Sequence, residues 1–193
     1  MTKQELRVLK QQERDGLDAA LHSEWSQQIA MNISQCFEYQ RCETLHVYCS
    51  MRSEVDTKPI REQAWRDGKR VVVPYVAAQD DMHLHHTEYR SGDAPGTDAL
   101  GIPVPAVVRP VTVEELRESQ TLILVPMLAF NQRLYRLGYG KGYYDRFLTI
   151  NGVAKFGVAF SFQFADELQP EPHDVPCDAI VTEQGAARRI STS

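Results

Sequence analysis

A glycine-rich stretch near residue 140 combines the residue types that a phosphate site needs. It reads RLGYGKGYYDRFL over residues 136–148 and has a glycine at every second position, at Gly138, Gly140 and Gly142. Glycines let the backbone turn freely and bring successive N–H groups close to an anion. Arg136 and Lys141 add positive charges, and the fork of an arginine fits phosphate oxygens. The stretch therefore indicates an anion site, although it is neither a P-loop nor a dinucleotide fingerprint.

Asp145 is the acidic residue of this stretch, and two interpretations of it stay open. A carboxylate among phosphate-binding groups repels the ligand unless a cation lies between them, and Mg²⁺ does this in nucleotide sites. An acid is also common in the first turn of a helix, because the helix dipole favours it there. The spacing alone does not choose between a metal ligand and a helix-start acid.

The elements that must hold this stretch alternate between strands and helices. Helices are predicted over about the first 40 residues, with a break at Gly16 and Asp18, and over 57–67, 113–119 and 142–150. Strands are predicted over 44–50, 69–76, 82–89, 121–126, 155–160 and 179–183, and an ordered loop over 91–110. This alternation predicts βαβ units and one α/β domain with a mainly parallel sheet covered on both faces. Ligands of such sheets bind at the carboxyl ends of the strands, where the glycine-rich stretch is expected.

Composition and charge exclude several classes of protein. The chain has 193 residues, which fits one domain, and a net charge of -5, which argues against a generally basic nucleic-acid-binding protein. Its N-terminus has no apolar signal core, and no run approaches membrane-spanning length. Four cysteines without metal-ligand spacing predict reduced thiols. We therefore expect a soluble cytoplasmic protein without a nucleic-acid or membrane partner, and no obligate protein partner is evident.

The glycine-rich stretch and its surroundings resemble the signature of the 5-formyltetrahydrofolate cyclo-ligase family. That signature has a strand ending in proline, an apolar-aromatic segment and then R-L-G-x-G-x-G-[YF]-Y-D, and each of its fixed positions is present here. The likeness covers nearly the whole chain: Lys3 and Arg7 match a K-x-x-x-R helix, YCSMRSEVDT carries Glu54, and HDVPCD matches the closing segment. The chain departs from the family in GIPVPAVVRP, which lacks an acid at Val104, and in NQRLY before Arg136.

The resemblance implies a fold and a reaction. The fold would be a single domain over residues 1–193 with three α/β/α layers, Rossmann-like and related to the sugar-phosphate isomerase and CoA-transferase folds. The reaction would be the ATP- and Mg²⁺-dependent closure of 5-formyltetrahydrofolate to 5,10-methenyltetrahydrofolate, with release of ADP and phosphate. ATP and the folate would be its small-molecule substrates.

The resemblance also assigns roles to individual residues. The residues that would bind ATP are Lys3, Arg7, Arg136, Leu137, Gly138, Tyr139, Gly140, Lys141, Gly142, Tyr143 and Tyr144. Among them, Arg136 and Lys141 would be catalytic, because they would stabilise the phosphoryl group in transfer. The residues that would contact the folate are Cys49, Glu54, Tyr139 and Tyr143. Asp145 and Asp178 would hold Mg²⁺.

Three other interpretations were weighed from the residues. A non-catalytic nucleotide- or folate-binding regulator could share this fold, but it would not need both basic pairs, Glu54 and two candidate metal acids. A relative of sugar-phosphate isomerases or CoA-transferases would not need Lys3 and Arg7 together with the glycine-rich stretch. A metal site at His83, His85 and His86 lacks a further evident ligand, so an exposed strand face is the prediction there.

Overall fold

The structure, a computed structural model, describes residues 1–188, with the side chains of residues 80–82 outside the description. The helices are α1 Lys3–Asp15, α2 Ala19–Ser34, α3 Phe37–Arg41, α4 Lys58–Arg66, α5 Val113–Glu118 and α6 Tyr143–Phe147. The first strands are β1 Thr44–Val47, β2 Arg70–Ala77, β3 Asp80–Glu88, β4 Pro95–Thr97 and β5 Pro103–Pro105. The later strands are β6 Thr121–Pro126, β7 Ala129–Phe130, β8 Arg136–Leu137, β9 Ala154–Val158, β10 Ala179–Thr182 and β11 Gly185–Arg188.

Seven strands form the central sheet, in the order β11-β10-β9-β6-β1-β2-β3. The five inner strands are parallel, whereas the edge strands β3 and β11 pair antiparallel with β2 and β10. Every residue of β6 is buried, as expected for a central strand with both faces covered. The predicted α/β fold with a mainly parallel sheet is confirmed.

Helices cover both faces of the sheet and make the two layers of the core. On one face, α2 and α4 pack Ile29, Ile33 and Ile60 against the sheet. On the other face, α5 and α6 contribute Leu116 and Phe147. Each layer removes large apolar side chains from water, which is the main stabilising contribution to the fold.

The first two helices are separated where the sequence predicted a break. Thr2 forms a capping box with Glu5 at the start of α1, and Gly16 follows its last turn. Asp18 then caps α2 by accepting from the backbone N–H groups of Ala20 and Leu21. The caps fix where α1 begins and ends, and hence where its basic side chains lie.

Some short elements were not predicted. The loop expected over 91–110 contains the hairpin β4–β5, and β7 and β8 form a second hairpin whose second strand is the beginning of the glycine-rich stretch. The turn of that second hairpin holds Leu134 at a positive φ of 62°. The helix expected over 142–150 ends at Phe147.

The strand face predicted to be exposed, that of His83 and His85, is exposed at His83 and half-buried at His85, whereas His86 lies on the other face of β3. His86 is buried beneath α6, and its Nδ1 lies 3.0 Å from Nε2 of the fully buried His46. Sequence pattern missed this pair because its two members lie on strands separated by 40 positions. All four cysteines are free and buried, as predicted. Among residues 1–188, no helix combines the length and apolar character needed to cross a membrane.

Candidate functional site

A cavity of about 510 Å³ lies at the carboxyl ends of β1, β2 and β6. It is lined by α1, by the segment that follows β1, by residues 136–145 and by the segment 171–174. Every site residue predicted from the sequence lines this cavity, with the exception of Asp178. The fold thus brings together groups that are up to 171 positions apart in the chain.

Two basic residues of α1 face the cavity one helical turn apart. Lys3 Nζ lies 3.0 Å from both Glu171 Oε1 and Asp174 Oδ2. Burial opposes the charge of Lys3, but these hydrogen bonds and the two carboxylate charges outweigh it and raise the pKa of Lys3. Arg7 Nε donates to the carbonyl of Gly138 at 3.0 Å, which ties α1 to the loop that precedes α6.

That loop, Gly138–Gly142, is called the glycine loop below. Gly140 and Gly142 have φ values of +93° and +70°, in the left-handed region that disfavours side chains. A Cβ on Gly142 would also lie 2.9 Å from Arg146 Nη1, and one on Gly140 would lie 3.5 Å from the guanidinium carbon of Arg7. The last two glycines are therefore required by the backbone itself.

Arg136 and Asp145 form a close ion pair at the base of the glycine loop. Arg136 Nη2 donates to Asp145 Oδ1 at 2.6 Å, and Nη1 donates to the carbonyl of Val175 at 2.6 Å. The Arg136 side chain is only 3% exposed, whereas that of Asp145 is 32% exposed. Arg136 thus joins the glycine loop to the segment that carries Asp174, and Asp145 keeps an accessible carboxylate edge. Lys141 is exposed at the rim.

The predicted pairing of Asp178 with Asp145 is corrected by the structure. Asp178 directly precedes β10, and its Oδ2 accepts from the backbone N–H of Lys155 at 2.8 Å, at the beginning of β9. Since β9 and β10 run parallel to β6, this is the amino-terminal edge of the sheet, away from the cavity. The carboxylate of this closing segment that lines the cavity is Asp174, which is 12% exposed.

Candidate cation ligands in the cavity come from two places. Asp145 is one, and the other is a group of Glu171, His173 and Asp174, whose ligand atoms lie within 4.8 Å of one another. The ammonium group of Lys3 already pairs with two members of that group. Sequence analysis passed over Asp174 because spacing could not tell which acid of HDVPCD turns inward.

The opposite side of the cavity is built around Glu54. Its Oε2 accepts from the backbone N–H of Met51 at 2.8 Å, and its Oε1 accepts from the Tyr139 hydroxyl at 2.6 Å. Burial raises the pKa of Glu54, while the hydrogen bonds from Tyr139 and Met51 and the charge of Arg14 oppose that rise. Cys49 lines the same cavity as a buried thiol whose pKa is raised by burial.

Two tyrosines supply neutral hydroxyl groups to the same region. Burial raises the pKa of Tyr139 and of Tyr144, so both stay protonated. The Tyr144 hydroxyl is buried and has no hydrogen-bond partner among the described residues. A buried polar atom without a partner is costly in a protein, so this hydroxyl is a candidate to contact a bound ligand.

Arg14 is a site residue that sequence analysis missed. It lines the cavity, is 3% exposed and donates from Nη2 to the Tyr139 hydroxyl at 2.8 Å. The signal was present, because positions 3, 7 and 14 fall on one face of an α-helix. An arginine at position 14 could therefore have been grouped with Lys3 and Arg7.

Comparisons with known proteins agree over nearly the full chain. A model of the 5-formyltetrahydrofolate cyclo-ligase family matches residues 1–183. The 5-formyltetrahydrofolate cyclo-ligase of Escherichia coli K12 is 32% identical over 178 residues, which are 89% of this chain and 94% of that protein. A probable 5-formyltetrahydrofolate cyclo-ligase of Schizosaccharomyces pombe is 26% identical over 176 residues, which are 84% of this chain and 85% of that protein.

Two solved structures share the fold. The Aquifex aeolicus 5,10-methenyltetrahydrofolate synthetase superposes with a TM-score of 0.85 at 31% identity, over 100% of this chain and 96% of that one. The Mycoplasma pneumoniae 5,10-methenyltetrahydrofolate synthetase gives 0.74 at 26% identity, over 95% and 99% of the two chains. Both cover the strands and loops that build the cavity.

Proposed function

The chain belongs to the 5-formyltetrahydrofolate cyclo-ligase family, and from that membership we propose that it converts 5-formyltetrahydrofolate to 5,10-methenyltetrahydrofolate with consumption of ATP. The observation that carries the proposal is the composition of the cavity. One side offers Lys3, Arg7 and the glycine loop, which suit a polyphosphate, and the other offers the buried Glu54, which suits the N–H donors of a pterin. Two substrates of these kinds would meet inside one enclosed space.

The reaction needs activation of a poor leaving group. A formamide oxygen does not leave by itself, so the γ-phosphoryl group of ATP is transferred to it and ADP is released. N10 of the folate then attacks the activated carbon and loses its proton to solvent, and departure of phosphate leaves the cyclic methenyl product. The protein needs no covalent intermediate of its own, because alignment of the two substrates and stabilisation of developing charge supply most of the catalysis.

Four cations are proposed to bind and neutralise the phosphates. Lys3 and Arg7 would contact them from α1, and Lys141 would contact them from the rim of the glycine loop. Arg136, buried between Asp145 and the Val175 carbonyl, would direct its charge at the phosphoryl group in transfer. The left-handed turns at Gly140 and Gly142 leave the loop free of Cβ atoms where phosphate oxygens would approach.

The carboxylates of the cavity fit Mg²⁺, which is a hard cation with a preference for oxygen ligands. Asp145 would hold it, and Asp174 is the proposed second carboxylate, because Arg136 bonds both Asp145 and the residue that follows Asp174. Bound there with ATP, the ion supplies charge neutralisation on the phosphate oxygens. In the structure Asp145 pairs with Arg136, and Asp174 pairs with Lys3. When ATP and Mg²⁺ bind, the phosphates could take over the two cations, which would free the two carboxylates for the metal.

Glu54 is proposed to recognise the pterin. Its carboxylate would accept hydrogen bonds from the pterin amino group and a ring N–H, while Tyr143 and the backbone near Cys49 complete the pocket. Four free, buried thiols favour the reducing cytoplasm as the compartment. ATP and the folate are the proposed partners.

The proposal is tested with the purified protein, 5-formyltetrahydrofolate, ATP and Mg²⁺. We expect methenyl absorbance in the near ultraviolet to grow with time, together with stoichiometric release of ADP. Reactions that omit ATP, or that contain a chelator in excess over Mg²⁺, are the controls, and we expect no methenyl absorbance to form in them. Folded protein that binds both substrates but forms no product would favour a regulator and overturn the enzyme assignment.

A further inference from the structure

Arg14, Tyr139 and Glu54 form a hydrogen-bonded chain from α1 to the folate side of the cavity. Arg14 Nη2 lies 2.8 Å from the Tyr139 hydroxyl oxygen, and that hydroxyl lies 2.6 Å from Glu54 Oε1. The Arg14 guanidinium carbon also lies 5.7 Å from the centroid of the Tyr139 ring. Tyr139 occupies a position that the family motif leaves variable, so this chain is a feature of the present sequence rather than of the motif.

The chemistry of the three groups fixes the direction of the hydrogen bonds. A guanidinium group can only donate, so the Tyr139 oxygen must accept from Arg14. The single proton of the tyrosine is then left for the carboxylate of Glu54. Arg14 is itself held in place, because Nε donates to Ser53 Oγ at 3.2 Å and Nη1 donates to the Met127 carbonyl at 3.3 Å. The donor that reaches Glu54 is therefore preorganised.

The same contacts leave Glu54 with a defined capacity to bind a ligand. An ionised carboxylate offers about four acceptor sites, two on each oxygen. The Tyr139 hydroxyl uses one site on Oε1, and the Met51 N–H uses one on Oε2. One acceptor site remains on each oxygen, and a carboxylate with a site on both oxygens suits a ligand with two adjacent N–H donors. This geometry holds only while Glu54 is ionised and its plane is fixed.

We infer that Arg14 and Tyr139 are positioning residues that hold Glu54 as an oriented, ionised acceptor for the folate. The inference rests on the proposed function for the identity of the ligand. The charged and titratable groups that face Glu54 are Arg14 from α1, Tyr48 from the end of β1, Tyr139 from the glycine loop and Tyr144 from α6. His22 of α2 contacts its backbone carbonyl. Of these groups, Arg14 carries the positive charge, and Tyr139 donates directly to the carboxylate.

The decisive variant is Tyr139→Phe, which removes the hydroxyl and keeps the ring over Arg14. We expect the KM for 5-formyltetrahydrofolate to rise by about tenfold, because a hydrogen bond to a charged group is lost. The kcat and the KM for ATP are expected to change by less than about twofold. Tyr135→Phe is the matched control, since Tyr135 lies in the β7–β8 hairpin that precedes the glycine loop and does not line the cavity. Both variants are compared with wild type by circular dichroism.

A pH profile separates positioning from loss of a contact. The hydrogen bond from Tyr139 lowers the pKa of Glu54, so its removal raises that pKa and leaves less ionised Glu54 at acidic pH. The KM for 5-formyltetrahydrofolate of Tyr139→Phe, divided by that of the wild type, is therefore expected to fall as pH rises through the raised pKa of Glu54. Arg14→Lys is also expected to raise the KM for 5-formyltetrahydrofolate. Its effect on that KM should be smaller when Tyr139→Phe is already present than in the wild-type protein.

Titration of the Glu54 carboxyl carbon by NMR, assigned with Glu54→Gln, tests the inference without turnover. A higher titration midpoint of Glu54 in Tyr139→Phe supports the inference, whether or not the wild-type enzyme is active. If the wild type is inactive and the midpoint still rises, only the proposed function is wrong. An active wild type with an unchanged folate KM and an unchanged Glu54 midpoint in Tyr139→Phe overturns the inference and leaves the proposed function standing.

Discussion

At the scale of single residues, two ion pairs organise the side of the cavity that we propose binds phosphate. Arg136 pairs with Asp145, and Lys3 pairs with Asp174, so cations and carboxylates alternate along the wall. A ligand that carries both phosphate and Mg²⁺ can exchange these pairs for equivalent ones of its own, with the cations on phosphate and the carboxylates on the metal. Each of these charged side chains then keeps a partner of opposite sign, which limits the cost of burying it.

Asp145→Asn tests the metal role of this carboxylate. The amide keeps the shape and can still accept from Arg136, but it lacks the negative charge that Mg²⁺ needs, so we expect kcat to fall by roughly a hundredfold or more. Steady-state rates across a range of Mg²⁺ concentrations measure the effect. Asp178→Asn is the matched control and is expected to keep near-normal rates, since Asp178 bonds to Lys155 outside the cavity. Equal losses in the two variants would contradict the corrected assignment.

Gly142→Ala tests whether the glycine loop needs its left-handed turn for ATP. Alanine at φ +70° costs about 1–2 kcal/mol of stability, and its Cβ would press on the Arg146 side chain, which comes from the last turn of α6. We expect a higher KM for ATP together with a lower free energy of unfolding. Gly152→Ala is the control, because Gly152 has a similar φ of +80° and open space around it. It should lose comparable stability by urea titration while its KM for ATP stays unchanged.

The scale of elements shows what local sequence could and could not predict. The strand Thr121–Pro126 was predicted with its observed bounds because a continuous apolar run marks a central parallel strand. The hairpin of β7 and β8 was missed because strands of two residues carry no period. The exposed edge strand Gly185–Arg188 was missed because its residues lack apolar alternation. Length and burial, rather than strand type, decided which elements could be predicted.

Site residues follow the same division. The glycine loop and Glu54 could be predicted to lie at one site because a continuous motif carries each of them, and both line the cavity. Asp174 and Arg14 were missed because their function depends on which way a side chain turns after the chain folds. Only tertiary packing decides that Asp174 meets Lys3 while Asp178 bonds to β9.

The first turn of α1 is an element whose stability should control ATP affinity. Thr2 and Glu5 form its capping box, and Lys3 follows directly. Thr2→Ala removes a cap worth about 1 kcal/mol, so the turn frays and Lys3 spends less time at the cavity. We expect the KM for ATP to rise by a few fold while the KM for the folate changes little.

A second capping box gives this prediction its control. Thr112 and Glu115 form the same arrangement at the start of α5, away from the cavity. Thr112→Ala is expected to cost similar stability in urea unfolding and to leave both KM values at the wild-type level. If the two variants affected the KM for ATP alike, general destabilisation rather than the α1 cap would be responsible.

At the scale of the whole molecule, the sheet and the cavity share one support beneath α6. The Phe147 ring lies 4.4 Å from the His86 ring and 4.9 Å from the His46 ring, measured between centroids. The residue Asp145 stands two positions before Phe147 on the same short helix. The packing of the core under this helix therefore holds the carboxylate of Asp145, the proposed metal ligand, in place, and a change that loosens the histidine pair is expected to loosen the site.

The buried histidine pair predicts a loss of stability in mild acid. Burial lowers the pKa of His86 to about 4 and that of His46 well below its usual value. Both are therefore neutral in the fold but take up protons in the unfolded chain below about pH 6.5. The contribution of the two histidines to stability is thus fully present above pH 6.5 and is lost as pH falls toward 4, by up to about 3 kcal/mol for His86.

Urea unfolding between pH 5 and 7 measures how the free energy of unfolding changes with pH before most carboxylates titrate. His86→Asn should weaken this pH dependence of the free energy of unfolding. His173→Gln is the control and should leave it unchanged, since the His173 side chain is 69% exposed. A wild-type free energy of unfolding that does not change over this pH range would show that the pair is not a source of acid sensitivity.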